Sequence, residues 1–316
     1  MIDAADILDP DLLGVVNLDK PAGVSSSQAV VHIRKVLTGT GWHGPRLKVG
    51  HAGTLDPAAT GVLLVLVGRA VKLTDVLMDA PKQYVATVRL GATSTTDDAE
   101  GEIAERPEAA PPSGSALRAA LAGFVGTIRQ RPPAFSAVHV EGQRAYKLAR
   151  QGRPADLPER AVTVRAVELT RYDWPTAELR IDCGRGVYVR SIARDLGEAL
   201  RVAGYLAALR RTRVGPFTAD DAAPMHECQV ENVYDWLAPV ETAVAALPRV
   251  ELADAQASRL ANGNRLAGNE LACGALADDA GPIAAFDPVG RLVAICRLSS
   301  GLLAPVQVLR RAPGAS

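Results

Sequence analysis

Apolar positions along the chain recur in two rhythms, and each change of rhythm marks an element. The run Val62–Val67, with Gly61 in front and Gly68 behind, is too short to cross a membrane and fits a strand buried on both faces. Gly14 to Leu18 (GVVNL) predicts a short strand. From Ser27 to Leu37, Val30, Ile33, Val36 and Leu37 fall at helical spacing, with Arg34 and Lys35 toward the end that favours positive charge. Ala70 to Ala80 predicts a helix ending before Pro81. Lys82 to Leu90 alternates, so Tyr84, Ala86, Val88 and Leu90 share one face of a strand. A Pro-rich loop over residues 104–115 precedes a predicted helix, Ala116 to Ala122. Val162 to Thr170 and Ala177 to Cys183 predict two strands. Residues 187–197 are expected to pass from strand to helix, with Tyr188 and Arg190 on one strand face. Residues 219–247 read as a helix-and-loop connection. Beyond about residue 247, Gly, Asn and Asp punctuate short strand-like runs at 283–286, 292–298 and 306–309, the texture of a small β-domain.

With 316 residues, one large domain or two is expected. Aromatics make up only 4%, so Ala, Val and Leu must fill the core. Formal net charge is zero, which taken whole does not suggest a nucleic-acid binder. The distribution changes the picture. Residues 129–213 carry 17 Lys and Arg against 9 Asp and Glu, while residues 214–316 carry 7 against 12. A basic block inside a neutral chain favours a polyanionic partner. Within it Arg144, Lys147 and Arg150 are three apart and would share a helical face, either solvated or phosphate-binding. The cysteines at 183, 228, 273 and 296 form no C-x-x-C pair and fit no zinc spacing; they read as reduced thiols. The N-terminal MIDAADILDPDLLG lacks the basic and apolar regions of a signal peptide, and no apolar run reaches the length of a membrane span. A cytoplasmic location is expected.

The chemistry gathers at Gly50–Leu66, GHAGTLDPAATGVLLVL, where a turn-rich half delivers Asp56 to the edge of the apolar strand. Gly53 and Gly61 permit backbone conformations that other residues resist. Alone, Asp56-Pro57 reads better as a helix cap and first helical residue. The whole string resembles the active-site segment of the TruB family, the tRNA pseudouridine-55 synthases. Five further stretches match in order. They are LDKPAGVSS around Lys20, the K-x-Y of Lys82–Tyr84, GATSTTDDAEG with Ser94 in place of the first Thr, QRPPAFSA from Gln130, and YVRSIARDLG from Tyr188. Arg210, Arg211 and Arg213 lie in a sixth, LRRTRVGPF, before which Gly204-Tyr205 stand where the family shows Ala-His.

The resemblance implies an α+β fold. A mixed, largely antiparallel central sheet flanked by helices, the pseudouridine synthase fold, would occupy residues 1–246, with an RNA-gripping insertion at about 129–160. A small PUA-like RNA-binding β-domain would occupy residues 247–316. It implies that Asp56 is the catalytic carboxylate, that Tyr84 packs on the target base and that Arg190 keeps Asp56 ionised. His51, Tyr188, Lys20 and Leu200 would contact the substrate, and Arg144, Lys147, Arg150, Arg210 and Arg211 the RNA. No cofactor or metal is implied. The partner would be the T-arm of tRNA, engaged by a monomer with no obligate protein partner. Two alternatives stand beside this: a synthase for another RNA, and a non-catalytic RNA-binding or RNA-folding protein on the same scaffold.

Overall fold

The structure is a computed structural model that describes residues 12–39, 46–136, 138–140, 143–153, 155, 157–271 and 281–310. Trp42, His43, Cys273, nearly all of the acidic leader and the side chains of Arg144 and Arg150 lie outside the described residues.

In chain order the strands are β1 (Gly14–Lys20), β2 (Val49–His51), β3 (Thr60–Val67), β4 (Lys82–Leu90), β5 (Ala92–Ser94), β6 (Ile103–Glu105), β7 (Gly126–Gln130), β8 (His139–Val140), β9 (Gln143–Arg144), β10 (Arg160–Asp173), β11 (Thr176–Cys183), β12 (Gly204–Val214), β13 (Phe217–Thr218), β14 (Ala223–Pro224), β15 (Leu237–Ala238), β16 (Arg249–Glu251), β17 (Leu266–Ala267), β18 (Ile283–Phe286), β19 (Leu292–Ser299) and β20 (Leu302–Val308). The α-helices are α1 (Ser26–Gly39), α2 (Thr74–Asp79), α3 (Gly114–Ala122), α4 (Ala145–Arg150), α5 (Val189–Ala199) and α6 (Asp254–Ala261). The chain divides into two compact units, one of residues 1–56, 62–78 and 215–316, the other of residues 57–61 and 79–214.

In the first unit β1 lies beside the apolar part of β3. On its other side it pairs with β14 in parallel and with β15 antiparallel. β3 is buried from Gly61 to Val67, as an unbroken apolar run requires. β2 runs antiparallel to it, with His51 opposite Val65. The C-terminal sheet has the order β16-β18-β19-β20-β17. Val250, Ile283, Ala294 and Leu303 lie in its core, with Leu260 of α6 packed among them. Lys72 and Arg69 donate to the carbonyls of Val308 and Leu309 at 2.7 and 3.4 Å, tying this sheet to the turn after β3.

In the second unit the strand order is β7-β10-β11-β4-β12, every neighbour antiparallel. Thr60 and Gly61, the first residues of β3, join β12 in parallel at Arg210 and Arg211. Gly61 sits at φ +97°, and a Cβ there would lie 2.2 Å from the Arg211 carbonyl oxygen, so only glycine admits this approach. Helix α5 packs on β12 and β4.

Several elements differ from the sequence reading, each for a physical reason. Residues 187–190 form no strand: Tyr188 is the extended N-cap of α5 and Arg190 its second helical residue. Val189, Ile192, Ala193 and Leu196 are buried at 3.6-residue spacing, and that period decides the matter. Asp56-Pro57 starts no helix; Pro57 and Ala58 form a turn leading into β3. The segment after β3 begins as a 3-10 turn, Gly68–Leu73, before α2. Residues 219–247 hold two 3-10 turns and two short strands, β14 and β15, but no α-helix; Pro224 and Pro239 interrupt any helical run. Arg144 belongs to β9 rather than to the helix with Lys147 and Arg150.

Candidate active site

In the first unit β2 ends at His51, and the Ala52 amide still reaches the Leu64 carbonyl of β3 at 3.0 Å. The chain then leaves the sheet. Leu55, 3% exposed, is gripped through its backbone by Ser26: the Ser26 hydroxyl donates to the Leu55 carbonyl and accepts from the Leu55 amide, both at 2.9 Å. Asp56 follows, half-buried. Lys20 is fully buried, and its ammonium donates to the carbonyls of Pro21 and Val24 at 2.8 and 2.7 Å. It thus holds the turn before α1, because the tight K-P-x-G turn leaves carbonyls needing a donor; the resemblance implied a substrate contact for this residue.

In the second unit Tyr84 stands on β4 with Ile181 of β11 on one side and Arg211 of β12 on the other. Tyr84 is 8% exposed and Arg211 only 1%, so Arg211, expected at the RNA surface, is an interior residue beside Tyr84. Arg210, its neighbour on the strand, is half-buried. Lys82 is buried two residues before Tyr84. Burial, and then the charge of Arg211, push its ammonium down to about 8. Burial pushes the thiol of Cys183, across from Lys82 on β11, up to about 12, so it stays protonated.

Arg190 is 6% exposed. Its guanidinium meets the Asp98 carboxylate at 3.3 Å and donates to the carbonyls of Thr96 and Phe135 at 3.3 and 2.9 Å. A buried guanidinium without a carboxylate would be costly, and Asp98 meets that need. Asp98 in turn accepts from the Thr96 hydroxyl and the Glu100 amide. One turn along α5, Arg194 pairs with Asp97 at 2.9 Å and Asp195 at 2.8 Å. Burial raises both of these carboxyls above their usual range despite the opposing Arg194.

The Gln130–Ser136 segment lies along the start of α5. Gln130, 2% exposed, accepts from the Tyr188 amide at 2.8 Å and donates to the Tyr188 carbonyl at 3.1 Å. The Arg131 carbonyl receives Ser191 and Arg194. Pro132 and Pro133 are buried in this irregular stretch without cost in unmet amides, since proline has none. Tyr188 packs against the cluster of Val138, Ala145 and Leu157.

Leu200 is the C-cap of α5, ten residues beyond Arg190, or about 15 Å along the axis, so the two are not brought together. Lys147 is exposed on α4. Asp98 was missed as a carboxylate partner of Arg190. Its signal was its place in the matched T-x-T-x-D loop, but only tertiary contact reveals what it faces.

Family models match the chain from residue 41 to residue 310. TruB family pseudouridylate synthase (N terminal domain) covers residues 41–189. The tRNA pseudouridylate synthase B C-terminal domain covers 190–245, and tRNA Pseudouridine synthase II, C terminal, covers 247–310. The tRNA pseudouridine synthase B of Thermobifida fusca is 44% identical over 303 residues, 93% of this chain and 98% of that protein. That of Burkholderia mallei is 39% identical over 94% of this chain and 96% of its own length. Among solved structures, a chain of a Cbf5-Nop10-Gar1 complex superposes with a TM-score of 0.74 at 27% identity, covering 95% of this chain and 85% of that one. An archaeal box H/ACA sRNP Nop10-Cbf5 complex contributes a second, with a TM-score of 0.71 at 25% identity, 95% of this chain and 87% of that one. Motifs, fold and near full-length identity converge: the chain belongs to the TruB family of pseudouridylate synthases.

Proposed function

We propose that this chain isomerises the uridine at position 55, in the T-loop of tRNA, to pseudouridine, with Asp56 as the catalytic carboxylate. The observation that carries the reading is the 44% identity over 93% of the chain to a tRNA pseudouridine synthase B, joined to the intact segment from His51 to Gly61. The reaction breaks the C1′–N1 bond, turns the uracil and joins C5 to C1′; C5 loses a proton and N1 takes one up, so the formula is unchanged. It is an isomerisation, with no net oxidation or reduction. Asp56 would act as nucleophile or ion-stabilising carboxylate. Tyr84 would stack on the uracil. Arg190, held by Asp98, would contribute positive charge to the catalytic machinery. Tyr188 would line the pocket and His51 would contact the RNA where the target nucleotide leaves its stack.

Flipping that nucleotide costs roughly a few kcal/mol, which phosphate contacts offset. Residues 129–160, with Arg144, Lys147 and Arg150, would grip the RNA, joined by Arg210. Residues 247–316 would form an accessory RNA-binding domain. The enzyme would work as a cytoplasmic monomer on tRNA alone.

Incubation with unmodified tRNA transcript, followed by carbodiimide treatment and primer extension, tests the target. A single new stop reporting position 55, lost when that uridine is replaced by cytidine, is the expected result. Stops elsewhere, or none on tRNA but some on another RNA, would contradict it.

A further inference from the structure

We propose that Ser26 is a positioning residue for Asp56: its buried hydroxyl fixes the backbone from which the carboxylate projects. This rests on the reading of Asp56 as the catalytic group.

A serine at the start of a helix normally caps it. Here Ser25 already does so. Its hydroxyl accepts from the Gln28 amide at 3.2 Å, and the Gln28 side chain accepts from the Ser25 amide at 2.8 Å. The Ser26 hydroxyl is therefore available for another task, and it spends both its donor and its acceptor on one residue, Leu55. Leu55 lies outside any strand or helix, so no ladder serves its amide and carbonyl. Both groups are buried, as is Ser26 at 3% exposed. The Leu55 side chain is buried as well, which anchors the residue from a second direction. The next residue along the chain is Asp56. Its Cα is thus set on one side by a two-point grip and on the other by the Pro57–Ala58 turn into β3.

Removing the hydroxyl leaves an amide and a carbonyl without partners, and the backbone must shift to find others. A displacement of about 1 Å at a catalytic group can cost about 100-fold in rate. Binding of RNA, made by other residues, should not change. Threonine keeps the hydroxyl; cysteine keeps the approximate volume but hydrogen-bonds weakly.

The test is single-turnover pseudouridine formation on tRNA with folded, full-length protein, alongside tRNA affinity. Ser26→Ala is expected to lower the rate about 100-fold while Kd stays within threefold, and Ser26→Thr to recover at least tenfold of that loss. A Ser26→Ala rate less than tenfold below wild type overturns the proposal. So does a loss that Thr fails to recover, or one that comes with a matching loss of affinity. If Ser26→Ala does not fold, Ser26→Cys decides by the same thresholds of rate and affinity. Asp56→Asn separates the two readings. If it keeps its rate, the assignment of Asp56 fails and the role of Ser26 falls with it. If it is inert while Ser26→Ala is near wild type, only the Ser26 proposal fails.

Discussion

Arg190 carries its charge almost out of solvent, with the Asp98 carboxylate and the carbonyls of Thr96 and Phe135 among its partners. Breaking such a pair from one side is worse than removing it, because an uncompensated charge remains. Asp98→Ala is therefore expected to destabilise the fold by about 3 kcal/mol, and the double variant Asp98→Ala/Arg190→Met, which removes both charges, by less. Urea unfolding of the two variants checks the order; equal costs would contradict it. Lys82 makes a pH-dependent claim. Its ammonium is pushed down to about 8 in the fold but titrates near 10.5 in the unfolded chain. Below pH 8 both states hold the proton and the folded one pays the burial cost. Between pH 8 and 10.5 the unfolded state binds more protons, so stability rises with pH, by up to about 1.4 kcal/mol per unit. Relative to Lys82→Met, wild type should gain stability from pH 8 to 10; a constant difference would argue against it. At this scale identities were legible and partners were not. Asp56, Tyr84 and Arg190 stand out in their motifs, yet nothing local says that Asp98 faces Arg190, that Lys20 turns inward, or that Arg211 is interior while Arg210 is half-buried.

Elements were legible wherever period and burial agreed. β3 and β4 follow from an unbroken apolar run and a clean alternation. α5 shows the limit: Val-Tyr-Val-Arg looks like alternation, but the apolar set that follows at 3.6-residue spacing begins at Val189 and draws Arg190 into the helix. Residues 219–247 lack either rhythm and settle as turns and two-residue strands. The junction of β3 with β12 depends on Gly61. Gly61→Ala is expected to cost at least about 2 kcal/mol, combining backbone strain with a clash against the Arg211 carbonyl. Gly23 is the control, at φ +80° with nothing within 4 Å of a Cβ, so Gly23→Ala should cost only the strain, about 1 kcal/mol. Thermal melts of both decide; equal shifts would mean that the close approach is not limiting.

For the whole molecule, zero net charge conceals a basic stretch over residues 129–213. Binding of tRNA should weaken steeply with salt, and Lys147→Ala should reduce the slope of log K against log salt by about 0.7–0.9, one phosphate contact. An unchanged slope would remove Lys147 from the RNA surface. The small C-terminal β-sheet was legible from its punctuation by Gly, Asn and Asp, but its tie to the turn after β3 through Lys72 and Arg69 was not, because side chains meeting strand-end carbonyls leave no sequence period. The central claim remains that this protein catalyses pseudouridine formation through Asp56. Tritium release from tRNA carrying [5-³H]uridine tests it most directly, comparing wild type with Asp56→Ala and Asp56→Asn. Release by wild type and by neither variant, with tRNA binding retained in all three, is the expected result. Binding without release in all three would make this an RNA-binding or RNA-folding protein, and release by either variant would take the chemistry away from Asp56.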